Sequence, residues 1–241
     1  MSLSRREFIG IGGAAVAGMA LVPGLRLVEL ARARSPEEAA TRLQRWGLLV
    51  DIGKCHDCNA CVTACHEENG VTSHGRPATD AQWIRKVELK DKLTGYVETL
   101  PVMCQHCAEP PCVDVCPTGA SFKRIDGIVL VDKHICIGCR YCMMACPYKA
   151  RSFVHEKTTN QKPHAPRGMG TVESCTLCVH RVDAGRIPAC VEACTKDGNK
   201  AMVFGDLKDP NSEINKQLAS APTTQLRPDL NLNTGVRYRG V

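Results

Sequence analysis

The stretch Cys136-Ile137-Gly138-Cys139-Arg140-Tyr141-Cys142-Met143-Met144-Ala145-Cys146-Pro147 places four thiols within eleven residues, spaced C-x2-C-x2-C-x3-C. Moving 81 residues toward the N-terminus lands on a second copy of that spacing, Cys55, Cys58, Cys61 and Cys65. The residues ahead of the two copies also coincide, Leu49-Val50-Asp51 with Leu130-Val131-Asp132. Two looser groups alternate with these: Cys104, Cys107, Cys112, Cys116, with four residues in the middle gap, and Cys175, Cys178, Cys190, Cys194, with eleven. Val113-Asp114 and Val191-Glu192 keep the same offset from their cysteines, so the chain reads A, B, A′, B′. All sixteen cysteines of the 241-residue chain fall in these groups, whereas aromatic residues make up only 4%. A large core of aromatic and branched side chains is therefore not available, and something else must help to hold the centre together.

Sixteen thiols allow eight disulfides or four metal centres with four thiolates each. Three thiols within seven residues suit a disulfide framework poorly, because near neighbours compete for every partner. Structural zinc usually takes two C-x2-C knuckles from separated segments. A tight loop offering three thiolates, completed by a fourth from elsewhere, suits a cubane iron–sulfur cluster. The pattern resembles the bacterial ferredoxin run, in which the fourth cysteine serves the other cluster of a pair. That resemblance implies four [4Fe–4S] clusters in two ferredoxin-like units, with iron held through all sixteen cysteines. Groups two and three are only nineteen residues apart (117–135) and read as an inner unit inserted between groups one and four. Carried over from the ferredoxin run, Cys55, Cys58, Cys61 and Cys194 would hold cluster 1, and Cys175, Cys178, Cys190 and Cys65 cluster 2. Cys104, Cys107, Cys112 and Cys146 would hold cluster 3, and Cys136, Cys139, Cys142 and Cys116 cluster 4.

The expected architecture is α+β: two interleaved ferredoxin-like units, one inserted in the other, with short strands, a β-hairpin and irregular loops. Leu48–Ile52 and Ile128–Val131 read as short strands entering a cluster loop. Residues 83–89 and 96–102, joined through Asp91-Lys92-Leu93-Thr94-Gly95, read as the hairpin. Ser35-Pro36-Glu37-Glu38 is a capping box that opens a helix to about Trp46. The polar stretch 158–172 reads as an irregular loop, and residues from Asp206 onward as a tail laid over the body or a partner. The domain reading is 1–33 an export signal, 34–103 the first half of the outer unit plus hairpin, and 104–157 the inner unit. Residues 158–205 then complete the outer unit, and 206–241 form a partner-contacting tail. Pro117 and Pro147 follow the last cysteines of the inner groups, where the outer groups carry His66 and Thr195. Proline has no N–H, so an extra donor near the outer clusters, and a difference in potential between the units, is the expectation.

The N-terminus is a different object. Ser4-Arg5-Arg6-Glu7-Phe8-Ile9 is a twin-arginine pattern, followed by an apolar run from Ile9 to Val22 and a small-x-small site at Ala31-Arg32-Ala33. The run is too short to span a bilayer comfortably, and no other stretch reaches the length a spanning helix needs. Twin-arginine export carries folded, cofactor-loaded proteins, which protects sixteen thiols from disulfide formation in an oxidising compartment. Periplasmic localisation follows, with membrane association through partners. The formal net charge of +6 is a mild basic excess, well short of a nucleic-acid footprint. His56, His66, His106 and His180 stand beside cysteines; with four thiolates already available per cluster, they read as solvated loop residues. No C-x-x-C-H, Walker loop, G-x-S-x-G or G-x-G-x-x-G occurs, and no catalytic site is visible.

The group order, the segment C-R-Y-C-M-M-A-C-P-Y-K-A-R (139–151) and the segment P-A-C-V-E-A-C…F-G-D-L-x-D-P-N-S-E (188–213) resemble four-cluster ferredoxin subunits of membrane-linked respiratory oxidoreductases. A twin-arginine pattern on the iron–sulfur subunit itself narrows the field, and the M-M-A-C-P-Y segment (143–148) with the C-terminal N-T-G-V-R-Y-R-G-V (233–241) looks most like the DsrO type, the periplasmic iron–sulfur subunit of the dissimilatory-sulfite-reductase-linked transmembrane complex. The resemblance implies an electron relay between a periplasmic multihaem cytochrome and a multispan quinone-interacting membrane subunit. The alternative it leaves is the electron-transfer subunit of a molybdopterin reductase acting on polysulfide, tetrathionate or dimethyl sulfoxide. A structural zinc or disulfide module is a third reading, which metal analysis would separate.

Overall fold

The computed structural model describes residues 40–56, 58–159 and 161–240. The twin-arginine pattern, the apolar run, the small-x-small site and the capping box at 35–38 lie outside them.

Strand β1 (Trp46–Asp51) is the spine. Its Leu48, Leu49 and Val50 are all buried, so both faces are covered and the strand reads as a continuous apolar run. β8 (Met202–Asp206) pairs antiparallel with β1 on one side, and β9 (Val236–Arg239) parallel on the other. The interleaving is visible in these pairings. β1 leads into helix α1 (Ala60–Asn69), whereas β8 follows helix α5 (Ala189–Lys196), with more than a hundred residues between them. The inner unit repeats the arrangement on a smaller scale. Its β4 (Ser121–Lys123) follows the single turn α2 (Pro111–Asp114), and β5 (Val129–Val131), paired antiparallel with β4, leads to α3 (Tyr141–Ala145). Between the half-units stands the hairpin of β2 (Ile84–Lys90) and β3 (Val97–Met103). Its turn is closed by Asp91, whose Oδ1 accepts the N–H groups of Leu93 (2.7 Å) and Thr94 (3.1 Å). Two-residue strands β6 (Ser152–Phe153) and β7 (Val172–Glu173) and the turn α4 (Val179–Val182) complete the second half.

Two expectations are corrected. Residues 42–43 form a turn and Trp46 begins β1, so no helix runs to Trp46. Trp46 enters the sheet instead, stacked on Phe204 at 5.2 Å. The segment from Asp206 is not an appended tail. Helix α6 (Glu213–Ser220), capped by the Ser212 hydroxyl, seats the fully buried Ile214 against β8, and β9 places Val236 and Tyr238 in the core. Gly205 permits this approach: a Cβ there would lie 2.9 Å from Ile214 Cγ2. Only two positions of the short β9 face the core, too few to register as a periodic pattern.

Candidate metal centres

Every group ends in C-x3-C, and the structure places two of the four pairs on helices: Cys61 and Cys65 on α1, Cys190 and Cys194 on α5. Residues four apart share a helix face but sit about one turn apart along it, roughly 6 Å. One helix therefore sends its two thiols to two different sites. Cys61 lies with Cys55, Cys58 and Cys194; burial, then the neighbouring thiols, pushes it up to about 12. Cys65 lies with Cys175, Cys190 and Cys178, and it too is pushed well above the ordinary thiol value by burial and these three. Those four line one small cavity together with Leu48, Asn69 and Trp83. Cys104, Cys107, Cys112 and Cys146 line a second, and burial holds Cys104 and Cys107 at about 12. Cys116, Cys136, Cys139 and Cys142 line a third. Here Cys116 shifts the other way: N–H groups led by that of Ser121 (3.3 Å), with the Thr118 hydroxyl, outweigh burial and lower it.

The four sets follow one another. Cys190 of the second interacts electrostatically with Cys61 of the first, Cys175 of the second with Cys104 of the third, and Cys142 of the fourth with Cys112 of the third. All eight thiols of the two middle sets are buried, whereas Cys55, Cys58, Cys116 and Cys136 are half-buried and Cys139 is exposed, all in the end sets. All sixteen cysteines are free thiols. Thiols that are buried and that raise one another are poised to exchange protons for a metal cation, which compensates the four negative charges they would carry.

Further donors surround the sulfurs. The backbone N–H groups of Leu177 (3.3 Å), Ala201 (3.2 Å) and Val172 (3.5 Å) point at Cys175, Cys194 and Cys136. Asn69 Nδ2 donates to the Cys65 carbonyl (2.8 Å) and lies 3.8 and 3.9 Å from the Cys65 and Cys178 sulfurs. The Lys86 ammonium is held by the carbonyls of His56 (2.9 Å) and Cys58 (3.1 Å) and only partly offsets the burial that raises Cys55.

Residues 94–207 match one 4Fe-4S dicluster domain and residues 54–120 another. The Hdr-like menaquinol oxidoreductase iron–sulfur subunit 1 of Archaeoglobus fulgidus is 44% identical over 98% of this chain and 97% of its own. A tetrathionate reductase subunit of Salmonella typhimurium is 41% identical, covering 89% of this chain and 78% of that protein. A sulfite dehydrogenase subunit of Allochromatium vinosum is 39% identical over 76% and 77%. The chain belongs to the 4Fe-4S dicluster family of iron–sulfur electron-transfer subunits. Its two dicluster domains and sixteen cysteines fit four [4Fe–4S] clusters.

Within this iron–sulfur subunit the histidines differ from the expectation of solvated loops. Of the four, only His56 is exposed. His106 is buried, accepts the Val129 N–H at Nδ1 (3.0 Å), and is lowered to about 3 by burial and then Arg151, so it is a neutral scaffold group. His66 is half-buried, and His180 Nε2 meets Glu68 Oε1 at 2.8 Å. Glu68, His164 and His180 present ligand atoms within 4.8 Å of one another, but Arg181 Nε lies 3.5 Å from the same Glu68 oxygen and already neutralises it. The proline difference also has another cause. Residues 66 and 195 lie inside α1 and α5, where proline would break the helix, whereas α2 and α3 end before Pro117 and Pro147. The N–H groups at 66 and 195 belong to the helical ladder and are not spare donors to sulfur. Asn69, Lys86 and Arg151 escaped the sequence reading, since nothing in their spacing ties them to the cysteines.

Proposed function

We propose that this subunit is exported folded by the twin-arginine route and relays single electrons between a multihaem cytochrome and a quinone-interacting membrane subunit, in a periplasmic complex of the DsrO type serving dissimilatory sulfur metabolism. The observation that carries the relay is the succession of four thiol sets, with enclosed sets in the middle and partly exposed ones at both ends. Bound [4Fe–4S] clusters supply one-electron exchange without bond making or proton chemistry. The chain supplies the rest: it orders the sets, keeps water from the middle ones, and aims N–H groups at sulfur. The quinone end is supported by the full-length similarity to a subunit named for menaquinol oxidation. Among the described residues no helix is long and apolar enough to cross a membrane, so membrane association rests on partners in this reading. A second reading, the electron-transfer subunit of a molybdopterin reductase, is favoured by the tetrathionate reductase relative.

In this proposal Cys55, Cys58, Cys61 and Cys194 hold cluster 1, and Cys65, Cys175, Cys178 and Cys190 cluster 2. Cys104, Cys107, Cys112 and Cys146 hold cluster 3, and Cys116, Cys136, Cys139 and Cys142 cluster 4. Domain boundaries at 33, 103, 157 and 205 accompany it. Anaerobic isolation of the tagged chain from native membranes, with mass spectrometry of what co-purifies, tests the partners. A triple C-x-x-C-H cytochrome and a multispan subunit are expected; a molybdopterin subunit in their place selects the second reading. For the ligands, Cys61→Ser and Cys194→Ser should alter the same cluster signal and Cys65→Ser a different one. If Cys61→Ser and Cys65→Ser alter the same signal, the crossed ligation is wrong.

A further inference from the structure

Arg151 follows the third cysteine group and is 5% exposed. Its Nη2 donates to Cys112 Sγ at 3.0 Å and to Ser121 Oγ at 2.8 Å. Ser121 in turn belongs to the wall of the fourth site, and its N–H points at Cys116. The guanidinium therefore sits where the third and fourth sets meet. It favours thiolate at Cys104, Cys107 and Cys112 of the third set and at Cys142 of the fourth, opposing the effect of burial at each.

A buried cation normally faces a carboxylate. Two other arginines show this: Arg167 pairs with the buried Glu173 at 2.7 Å, and Arg124 with Asp126 and Asp183. Among the described residues no carboxylate pairs with Arg151. Nη1 is enclosed without a protein acceptor, and the neighbouring Lys133 and neutral His106 offer no compensation. The counter-charge that the fold leaves for Arg151 is the thiolate sets on either side. Arginine stays protonated throughout the working pH range, so its effect is that of a fixed charge.

We propose that Arg151 is a shared potential-setting residue for the third and fourth clusters, raising both potentials through its charge. The inference rests on the four-cluster reading above. A fixed positive charge favours the more negative, reduced state of whatever those thiolates hold, and low dielectric between the sites strengthens the effect. It leaves the first and second sites, which lie beyond it in the succession, nearly untouched.

The test is an EPR-monitored redox titration of the full chain in its native complex, comparing wild type with Arg151→Met and Arg151→Lys. Arg151→Met is expected to lower two of the four midpoints, shifting the reduced-to-oxidised ratio at fixed potential about tenfold or more (59 mV per tenfold for one electron). The other two midpoints should stay, and Arg151→Lys should recover most of the loss. The proposal is overturned if no midpoint moves, if all four move alike, or if Lys behaves as Met does. Should Arg151→Met lose iron, the loss must fall on the third and fourth sites and be absent in Arg151→Lys; loss in both variants also overturns it. Wild-type iron content separates the two levels. About sixteen irons per chain with unmoved midpoints sinks only the role of Arg151, whereas fewer than about four sinks the four-cluster reading itself.

Discussion

Tyr238 ties the C-terminal strand to a cluster loop, and truncating it gives a graded outcome. It is fully buried; its hydroxyl donates to the Pro101 carbonyl (3.1 Å) and accepts from Gln105 Nε2 (3.1 Å). Gln105 lies between Cys104 and Cys107, and the same loop is clasped by Gly235 N–H to Gln105 O (2.8 Å) and Ala108 N–H to Leu232 O (3.1 Å). Tyr238→Phe keeps the ring and removes two hydrogen bonds, although Gln105 Nε2 retains the Met103 carbonyl at 2.9 Å. The cost is about 1–2 kcal/mol. Tyr238→Ala adds the loss of a buried ring and costs about 3–5 kcal/mol. For a domain of this size each kcal/mol moves the melting midpoint by about 2–4 °C. Phe should therefore lower it by about 2–8 °C and Ala by about 6–20 °C. Cluster proteins unfold irreversibly, so the variants are compared anaerobically at one scan rate, following cluster absorbance. The third cluster should bleach first in Tyr238→Ala. A midpoint within about 1 °C of wild type for both variants would show that the strand is a dispensable tail after all.

Gly138 has φ of +68°, and a Cβ there would lie 2.1 Å from the Gly170 carbonyl oxygen, so Gly138→Ala must displace the loop carrying Cys139. Iron analysis should find about four of sixteen irons missing, all from the fourth site; full iron content would contradict this. Asn69→Leu removes the amide from the second site, lowering the midpoint of that cluster and costing about 1 kcal/mol; an unchanged titration speaks against it. Stripping iron under reducing conditions should abolish cooperative unfolding and near-UV dichroism, because eleven of the sixteen thiols are buried and most of those belong to the core. A sharp melting transition of the iron-free chain would show an independent apolar core.

Much of the site was legible because its information is local. C-x2-C spacing within a loop and C-x3-C on a helical turn constrain where thiols point before any long-range contact forms, and the 81-residue repeat announces two copies of one unit. The strands at 46–51 and 129–131 and the hairpin at 84–103 were legible for the same reason: each is a short apolar or alternating run next to a turn signal. His106 was not, since its burial depends on Val129 arriving from twenty-three residues away. Nor was the helix end: whether His66 and Thr195 continue a helix turns on the missing proline, which spacing alone reads as a free donor.

The amino-acid order thus specified the number of thiol sets, their membership in groups and the repeated unit, because covalent spacing and helical geometry act over a few residues. Folding alone assigned what depends on contacts across the chain. It laid the sets end to end, placed β9 beside β1 some 185 residues after it, and brought the Arg151 charge against Cys112 from 39 residues away. Strand pairing and burial of charge have no local signature; they acquire energy only when distant segments close on one another and exclude water.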